Sequence, residues 1–416
     1  MMSGQGRAPG AHIPPSIAFL RSPAAVRERS ESLFEHVRCG GSEHFRLDLA
    51  RLAAATDVAW EVLTEAYPDP RRVPVHGRIN HFGVGGRDRL AWLEAALPSA
   101  PERARALTDL IVTSVLLDAG AGPEWRYTEP SSGLEVGRSE GLALASLEAW
   151  RQGLFSGDPR QPWRADAEGL ANLTTERLAE AFQVRANNPL LGLEGRAALL
   201  RRLGTVLGAR SEAFAGQGRV GGLCDVWMRE AIGGQLPAAR VLGGILEALG
   251  PIWPPRTQCL GVELGDVWFH PAAGGHGPTR GLVPFHKLSQ WLSYSLLPAL
   301  ALAGLEVVNV GELTGLAEYR NGGLFVDTGV IAPKHPGVTR DVHEPSSELV
   351  VEWRALTVVL LDRLATGLRQ RSGLDAESLP LGKVLEGASW AAGRRLAERL
   401  RQGAPPIRVQ SDGTLF

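Results

Sequence analysis

Apolar positions recur at helical spacing along most of this chain, and strand-like alternation is scarce. The first helices are predicted over residues 22–38 and 45–66, where Leu49, Leu52, Val58 and Val62 return near the period of one buried face. Residues 101–119 follow, with Pro101 in the first turn, Leu107, Leu110, Ile111 and Leu117 along one side, and glycines 120 and 122 as a stop. Another helix is predicted over 139–154, with Ser139 as its N-cap. Helices over 174–186 and 194–208 are separated by the turn Asn187, Asn188, Pro189, and 211–250 reads as helix interrupted by glycines. Pro284 should open a helix through Gln290 and Tyr294 that Pro298 kinks or ends. Thr314 is the expected cap of a short helix carrying Glu318, Tyr319 and Arg320, cut by a turn at Asn321, Gly322 and Gly323. Ser346 or Ser347 then starts a long helix with Leu349, Val350, Trp353, Leu356, Leu360 and Leu364 as its buried stripe, and a last helix lies near 385–402. Alternation is best near 324–331 and 406–410, so the fold class is mainly α with at most a small sheet. Residues 1–20 read as a flexible tail, and 21–416 as a single large helical domain whose natural subdivision would be 21–160 and 161–416.

Composition narrows the class of protein. Hydrophobic residues make up 44% and charged residues 21% of 416, which is globular. Lys and Arg number 44 against 45 Asp and Glu, so no basic excess points to nucleic acid. Cys39, Cys224 and Cys259 are too few and too far apart for a disulfide framework or a CxxC metal clip, which suits a reducing, cytoplasmic setting. No apolar run is long enough to cross a bilayer, so a soluble protein without a membrane partner is expected. The strict Rossmann and P-loop spacings are absent, and no cofactor is expected.

Polar chemistry concentrates in residues 256–327. Glu263, Asp266, His270, His276, His286, Lys287, Gln290, Glu318, Tyr319 and Arg320 alternate there with Trp268, Phe285 and Trp291. Charged groups set among aromatics suit a lined pocket better than a core. An earlier segment, VHGRINHFGVGGRDRL over 75–90, places His76, Arg78, His81, Arg87 and Arg89 around glycines, a pattern able to hold an anion or simply a loop with solvated arginines. Asp118 falls at a helix end just before Trp125, and Arg138 precedes the Ser139 cap. Three chemistries fit the cluster. Metal hydrolysis would use His270 and His276 with Glu263, Asp266 or His286, although HPAAGGH matches no established ligand spacing. Carboxylate catalysis would use Glu318 and Asp266, whose aromatic neighbours raise carboxyl pKa values, with Lys287 or Arg320 as counter-charge. The bland version of that arrangement is an ion-pair network tying helices together. A non-enzymatic adaptor is the third, with an exposed helix face as its expected mark.

The blocks VHGRINHFGVGGRDR, LLDAGAGPEWRY, RSEGLALAS, NPLLGLEGR, RTQCLGVELGDVWFHPAAGG, PFHKLSQWLSYSL, LTGLAEYRNGGLFVD and VVEWRALTVVLLD resemble the uracil-catabolism protein family over nearly the whole chain. That family accompanies a cyclohydrolase-like ring-opening enzyme and a uracil phosphoribosyltransferase. The resemblance implies a role downstream of ring opening, on a ribosylurea-type intermediate that releases urea, with other uracil-catabolism enzymes as possible partners. FHKLSQ followed by LAEYR is also similar to a motif pair of the queuosine-nucleotide salvage glycosidases, whose helical fold is related to DNA glycosylases. That likeness implies a DNA-glycosylase-like architecture. It puts Lys287 and Glu318 at the positions of an active-site Lys and Asp, with Glu one methylene longer than the family's Asp. The expectation is therefore an N-ribosyl hydrolase cleaving ribosylurea, or its 5-phosphate, to urea and ribose or ribose phosphate. Glu318, Lys287, Asp266 and His286 are the expected catalytic residues. The proton donor is Asp266, held protonated by Trp268 and Phe269, or else His286. Substrate contacts are expected from Arg78, His81, His76, Asp118, Trp125, Arg138, Glu263, Trp268, Gln290, Tyr319 and Arg320. A urea-releasing amidohydrolase or lyase, a metal-dependent hydrolase and a non-catalytic pathway partner are the alternatives.

Overall fold

In the computed structural model, which describes residues 13–410, the chain is mainly α, and its strands pair only as two-stranded ladders. The dominant element is the 25-residue helix Glu348–Ser372. Ser347 caps it by accepting the Val350 N–H, and Gly373 ends it at φ 68°. Its first half is buried on every face rather than along a single stripe, because other elements surround it. Helices Pro23–Arg38, Leu52–Ala66 and Tyr319–Asp327 all pack against it. Two charged residues, Glu352 and Arg354, go into the interior with it.

A second packed pair joins Lys287–Leu302 to Ala100–Leu116. The helix starts at Lys287, not at Pro284, because Leu282–Pro284 is a strand paired antiparallel with Val267–Phe269, Val267 opposite Pro284. It also runs through Pro298 to Leu302, held by the buried Leu296, Ala299 and Leu300 on its far half. Gly77 lets the Arg78–Phe82 helix approach this one. A Cβ at Gly77 would lie 3.1 Å from the Ser295 Cα.

The Asn321, Gly322, Gly323 sequence does not turn. It lies inside the helix Tyr319–Asp327, whose cap is Glu318 rather than Thr314. The glycines serve close packing: a Cβ on Gly322 would lie 2.7 Å from Thr357 Oγ1 and 2.7 Å from Trp353 Nε1. On the other side, Trp390–Arg401 packs through Gly393, where a Cβ would lie 2.0 Å from the Arg320 carbonyl oxygen. The expected alternation at 324–331 reduces to the strand Ile331–Pro333, which pairs with Phe45–Leu47, and that at 406–410 to Arg408–Val409. Residues 15–20 are helical, with Ile17 and Leu20 buried, which shortens the expected tail, and residues 1–12 lie outside the described residues. One apolar cluster contains residues from Phe34 to Ile407.

Gly393→Ala should force the Trp390–Arg401 helix away from Arg320. A loss of about 1–3 kcal/mol or more in a denaturant melt is expected from overpacking against backbone. Unchanged stability would show that the two helices separate freely.

Candidate functional site

The hairpin 267–284 delivers Asp266 beside the start of the Lys287–Leu302 helix. The Asp266 carbonyl accepts the Phe285 N–H at 3.0 Å, and its carboxylate accepts the Lys287 N–H at 3.0 Å and Trp268 Nε1–H at 2.8 Å. Arg354 completes the cluster. Its Nη1 and Nη2 reach the two Asp266 oxygens at 2.7 and 2.8 Å, and its Nε donates to the Ala317 carbonyl at 3.2 Å. The guanidinium also lies 4.1 Å from the Phe285 ring centroid. A single buried side chain therefore joins Asp266, which accepts the first N–H of Lys287's helix, to the residue before Glu318.

Glu318 caps the Tyr319–Asp327 helix with its own carboxylate, which accepts the Arg320 N–H at 2.9 Å and the Asn321 N–H at 2.6 Å. Lys287 lies deep in the protein yet keeps accessible surface, as do His81 and Tyr319, which makes these side chains the lining of a candidate cleft. Burial lowers the Lys287 pKa below the ordinary lysine value, and Glu318 and Asp118 oppose that shift through space. The first ammonium–carboxylate relation expected from sequence thus comes from two separate helices.

Asp118 brings in a third group of elements. It accepts the Ser139 hydroxyl, at 2.7 and 2.6 Å to its two oxygens, and pairs with Arg78 at 3.1 Å. Arg78 is fully buried and donates to Ser114 Oγ at 2.6 Å, to the Ser139 carbonyl at 3.0 Å and to His81 Nδ1 at 3.1 Å. His81 sits between Trp291 and Trp390, with ring centroids 6.1 and 6.4 Å away. His76 stacks on the other part of Trp291 at 6.0 Å and bonds Glu386 at 2.6 Å. Arg320 lies over Tyr319 and Trp390, at 5.0 and 5.5 Å, and its Nη1 is buried without a partner among the described residues. Arg138, at φ 54°, pairs with Glu398 at 2.7 Å.

Several sequence expectations change here. Asp266 is not a protonated acid: burial opposes its ionisation, but Arg354 outweighs burial and holds the carboxyl far below the usual carboxylate range. Phe269, expected to shield it, points outward. His286 is not a free proton donor. It is buried, burial pushes its pKa down, and its Nε2 lies 2.8 Å from the Leu20 carbonyl, to which it donates. Gln290 is spent on Thr314, bonding its N–H and hydroxyl at 3.1 and 2.6 Å. Trp125 is in the core, stacked on Phe182 and donating to the Phe182 carbonyl at 3.0 Å. Glu263 lines a separate small pocket with Arg21, Asp266, His286 and Ser289. The glycine-rich loop is tied to itself, since Arg89 donates to the Phe82 and Val84 carbonyls and pairs with Glu129. His270 is buried 3.3 Å from Glu352, while His276 lines a different, outer loop. Among the described residues no three His, Cys, Asp or Glu side chains gather as a metal-ligating group. Arg354, Glu386 and Trp390 escaped the sequence reading. Arg354 had one signal, a charge interrupting the apolar run VVEWRALTVVLL.

These elements make a helical protein in which charged and aromatic side chains surround a candidate cleft. The chain belongs to the family described as "Protein of unknown function (DUF1688)", whose model matches residues 19–416. It is 39% identical to "Protein urg3" of Schizosaccharomyces pombe over 412 residues, covering 96% of this chain and 99% of that protein. It is 35% identical to "Uracil catabolism protein 4" of Lachancea kluyveri over 437 residues, with the same coverages of 96% and 99%. No helix among the described residues is long and apolar enough to cross a membrane.

Asp266→Asn should cost about 3–5 kcal/mol, because it leaves the buried Arg354 charge uncompensated. Asp266 has a depressed pKa, so its contribution is complete above its unfolded value of about 4 and is lost as pH falls towards the folded value. The stability gap between wild type and Asp266→Asn, read by urea melts, should be widest from pH 5 upward and narrow below about pH 4. A gap independent of pH would show that Asp266 acts by shape alone.

Proposed function

We propose that the cleft hydrolyses the N-ribosyl bond of a ribosylurea-type substrate, releasing urea. The observation that carries this reading is Glu318. Its carboxylate accepts two backbone N–H groups, next to the buried Lys287 ammonium and an Arg78–Asp118 pair. Breaking a C1–N bond builds positive charge on the ribose ring, and a fixed carboxylate stabilises that charge as in glycoside hydrolysis. In this reaction water supplies the oxygen of the new C1–O bond. The electron pair of the broken C1–N bond leaves with urea. The water proton passes through Glu318 to the departing nitrogen. Lys287 orients Glu318 or binds a ribose hydroxyl by a charge-assisted hydrogen bond.

The printed name of the Lachancea kluyveri relative supports a role in uracil catabolism. A 5-phosphate on the substrate would fit the Arg320 side of the cleft, where Arg320 Nη1 is buried without a partner among the described residues and Arg394 shares the Trp390 ring. A second reading rests on the lowered Lys287 pKa. A more readily neutral amine is a nucleophile, and attack on C1 would make Lys287 a lyase residue. Borohydride trapping of a substrate–enzyme adduct separates the two, since hydrolysis by water leaves nothing to reduce.

Purified protein with ribosylurea and with its phosphate should release urea. Glu318→Gln keeps an acceptor for the helix cap and removes the charge. It should lower kcat by about 100-fold or more with little change in substrate binding. Wild-type turnover by Glu318→Gln would sink the mechanism.

A further inference from the structure

With Asp266 and His286 committed elsewhere, the cleft needs another group to face the departing side of the substrate. We infer that His81 fills this place as a neutral hydrogen-bond donor, its tautomer set by Arg78, and that its target is a carbonyl-type oxygen rather than an anion. The assignment to a ureido oxygen rests on the glycosidase reading above, but the tautomer does not.

The argument begins with Arg78. A guanidinium has only donors, so the 3.1 Å contact between Arg78 Nη1 and His81 Nδ1 requires a lone pair on Nδ1. Arg78 has little room to swing away. Its backbone N–H donates to Ser295 Oγ at 2.9 Å, its Nε to Ser114 Oγ at 2.6 Å, and it pairs with Asp118. In the neutral ring the proton therefore sits on Nε2. Among the described residues Nε2 bonds to nothing in the protein, and it is not among the buried polar atoms lacking partners, so it keeps contact with the cleft. Trp291 and Trp390 lie on either side of the ring and limit its rotation.

Protonation would place Nδ1–H against a guanidinium N–H and lose the contact that orients the ring. Burial and Arg78 act in the same direction and push the His81 pKa below the ordinary histidine value. Asp118, Glu386 and Glu140 face His81 from the other elements and oppose that shift without reversing it. A neutral imidazole that offers an N–H polarises an acceptor without moving a proton, the role assigned to a helix-tuned histidine in triosephosphate isomerase. As the C1–N bond of a ribosylurea breaks, charge arriving on nitrogen delocalises onto the ureido oxygen. A fixed N–H at that oxygen stabilises it more in the transition state than in the ground state.

The test uses the full-length, ¹⁵N-labelled protein. Long-range ¹H–¹⁵N correlations, with His81→Gln identifying the signals, should show Nδ1 unprotonated and Nε2 protonated at pH 7. The pattern should persist at pH 6, where an unperturbed histidine is mostly charged. An imidazolium pattern at pH 7, or a proton on Nδ1, would overturn the tautomer assignment whatever the enzyme's substrate is. With ribosylurea, His81→Gln, which keeps an N–H and cannot charge, should retain kcat within about 10-fold, while His81→Ala should lose about 100-fold. Wild-type kcat in His81→Ala, or a rise in KM confined to phosphorylated substrate, would overturn the donor role. If wild type releases no urea, the glycosidase reading and the ureido target fail together, and the spectrum still decides the tautomer.

Discussion

The Arg354–Asp266 pair is the constraint on which the cleft depends. A buried guanidinium with two hydrogen bonds to one carboxylate and a third to the Ala317 carbonyl fixes three segments at once. Those segments are the 267–284 hairpin, the first turn of Lys287–Leu302 and the approach to Glu318. Desolvating two charges is costly, and burial of this kind is weak evidence of a stabilising role. What the pair supplies is geometry. Removing either partner leaves a buried charge without its opposite number in this pair, and the three segments lose their common anchor.

The same economy governs the carboxylates that face the cleft. Glu318 satisfies two of the free N–H groups of a helix start. Asp118 is held by Ser139 and Arg78, which join the ends of two further helices. In the proposed reaction the charges that act on substrate are thus ones that the backbone already needs. Trp291 and Trp390 lie against the guanidinium groups of Arg78 and Arg320, at 5.8 and 5.5 Å.

Much of the helical layout was legible in the chain, because amphipathic spacing and capping residues are local signals. The 100–116 and 138–151 helices begin and end within a few residues of their predicted limits, and the 348–372 helix begins where predicted. Glycine misled where its use was not local. Asn321, Gly322 and Gly323 have turn chemistry, but they lie in a helix whose Gly322 leaves room for Thr357 and Trp353 and whose Gly323 faces Pro406. Protonation states misled for the same reason. Trp268 beside Asp266 suggests a raised carboxyl pKa, whereas Arg354, 88 positions away, lowers it.

The sequence by itself determined the mainly α class, the concentration of charged and aromatic residues in 256–327, and the family resemblance, since composition and spacing are carried residue by residue. Only the tertiary structure decided which charges meet. Lys287 is coupled to Glu318 and Asp118, His81 is bonded to Arg78, and His286, Gln290 and Trp125 are spent on scaffold contacts. The reason is range. A helix records its own period every few residues, but an ion pair has no period, and its partner is chosen by how the helices pack.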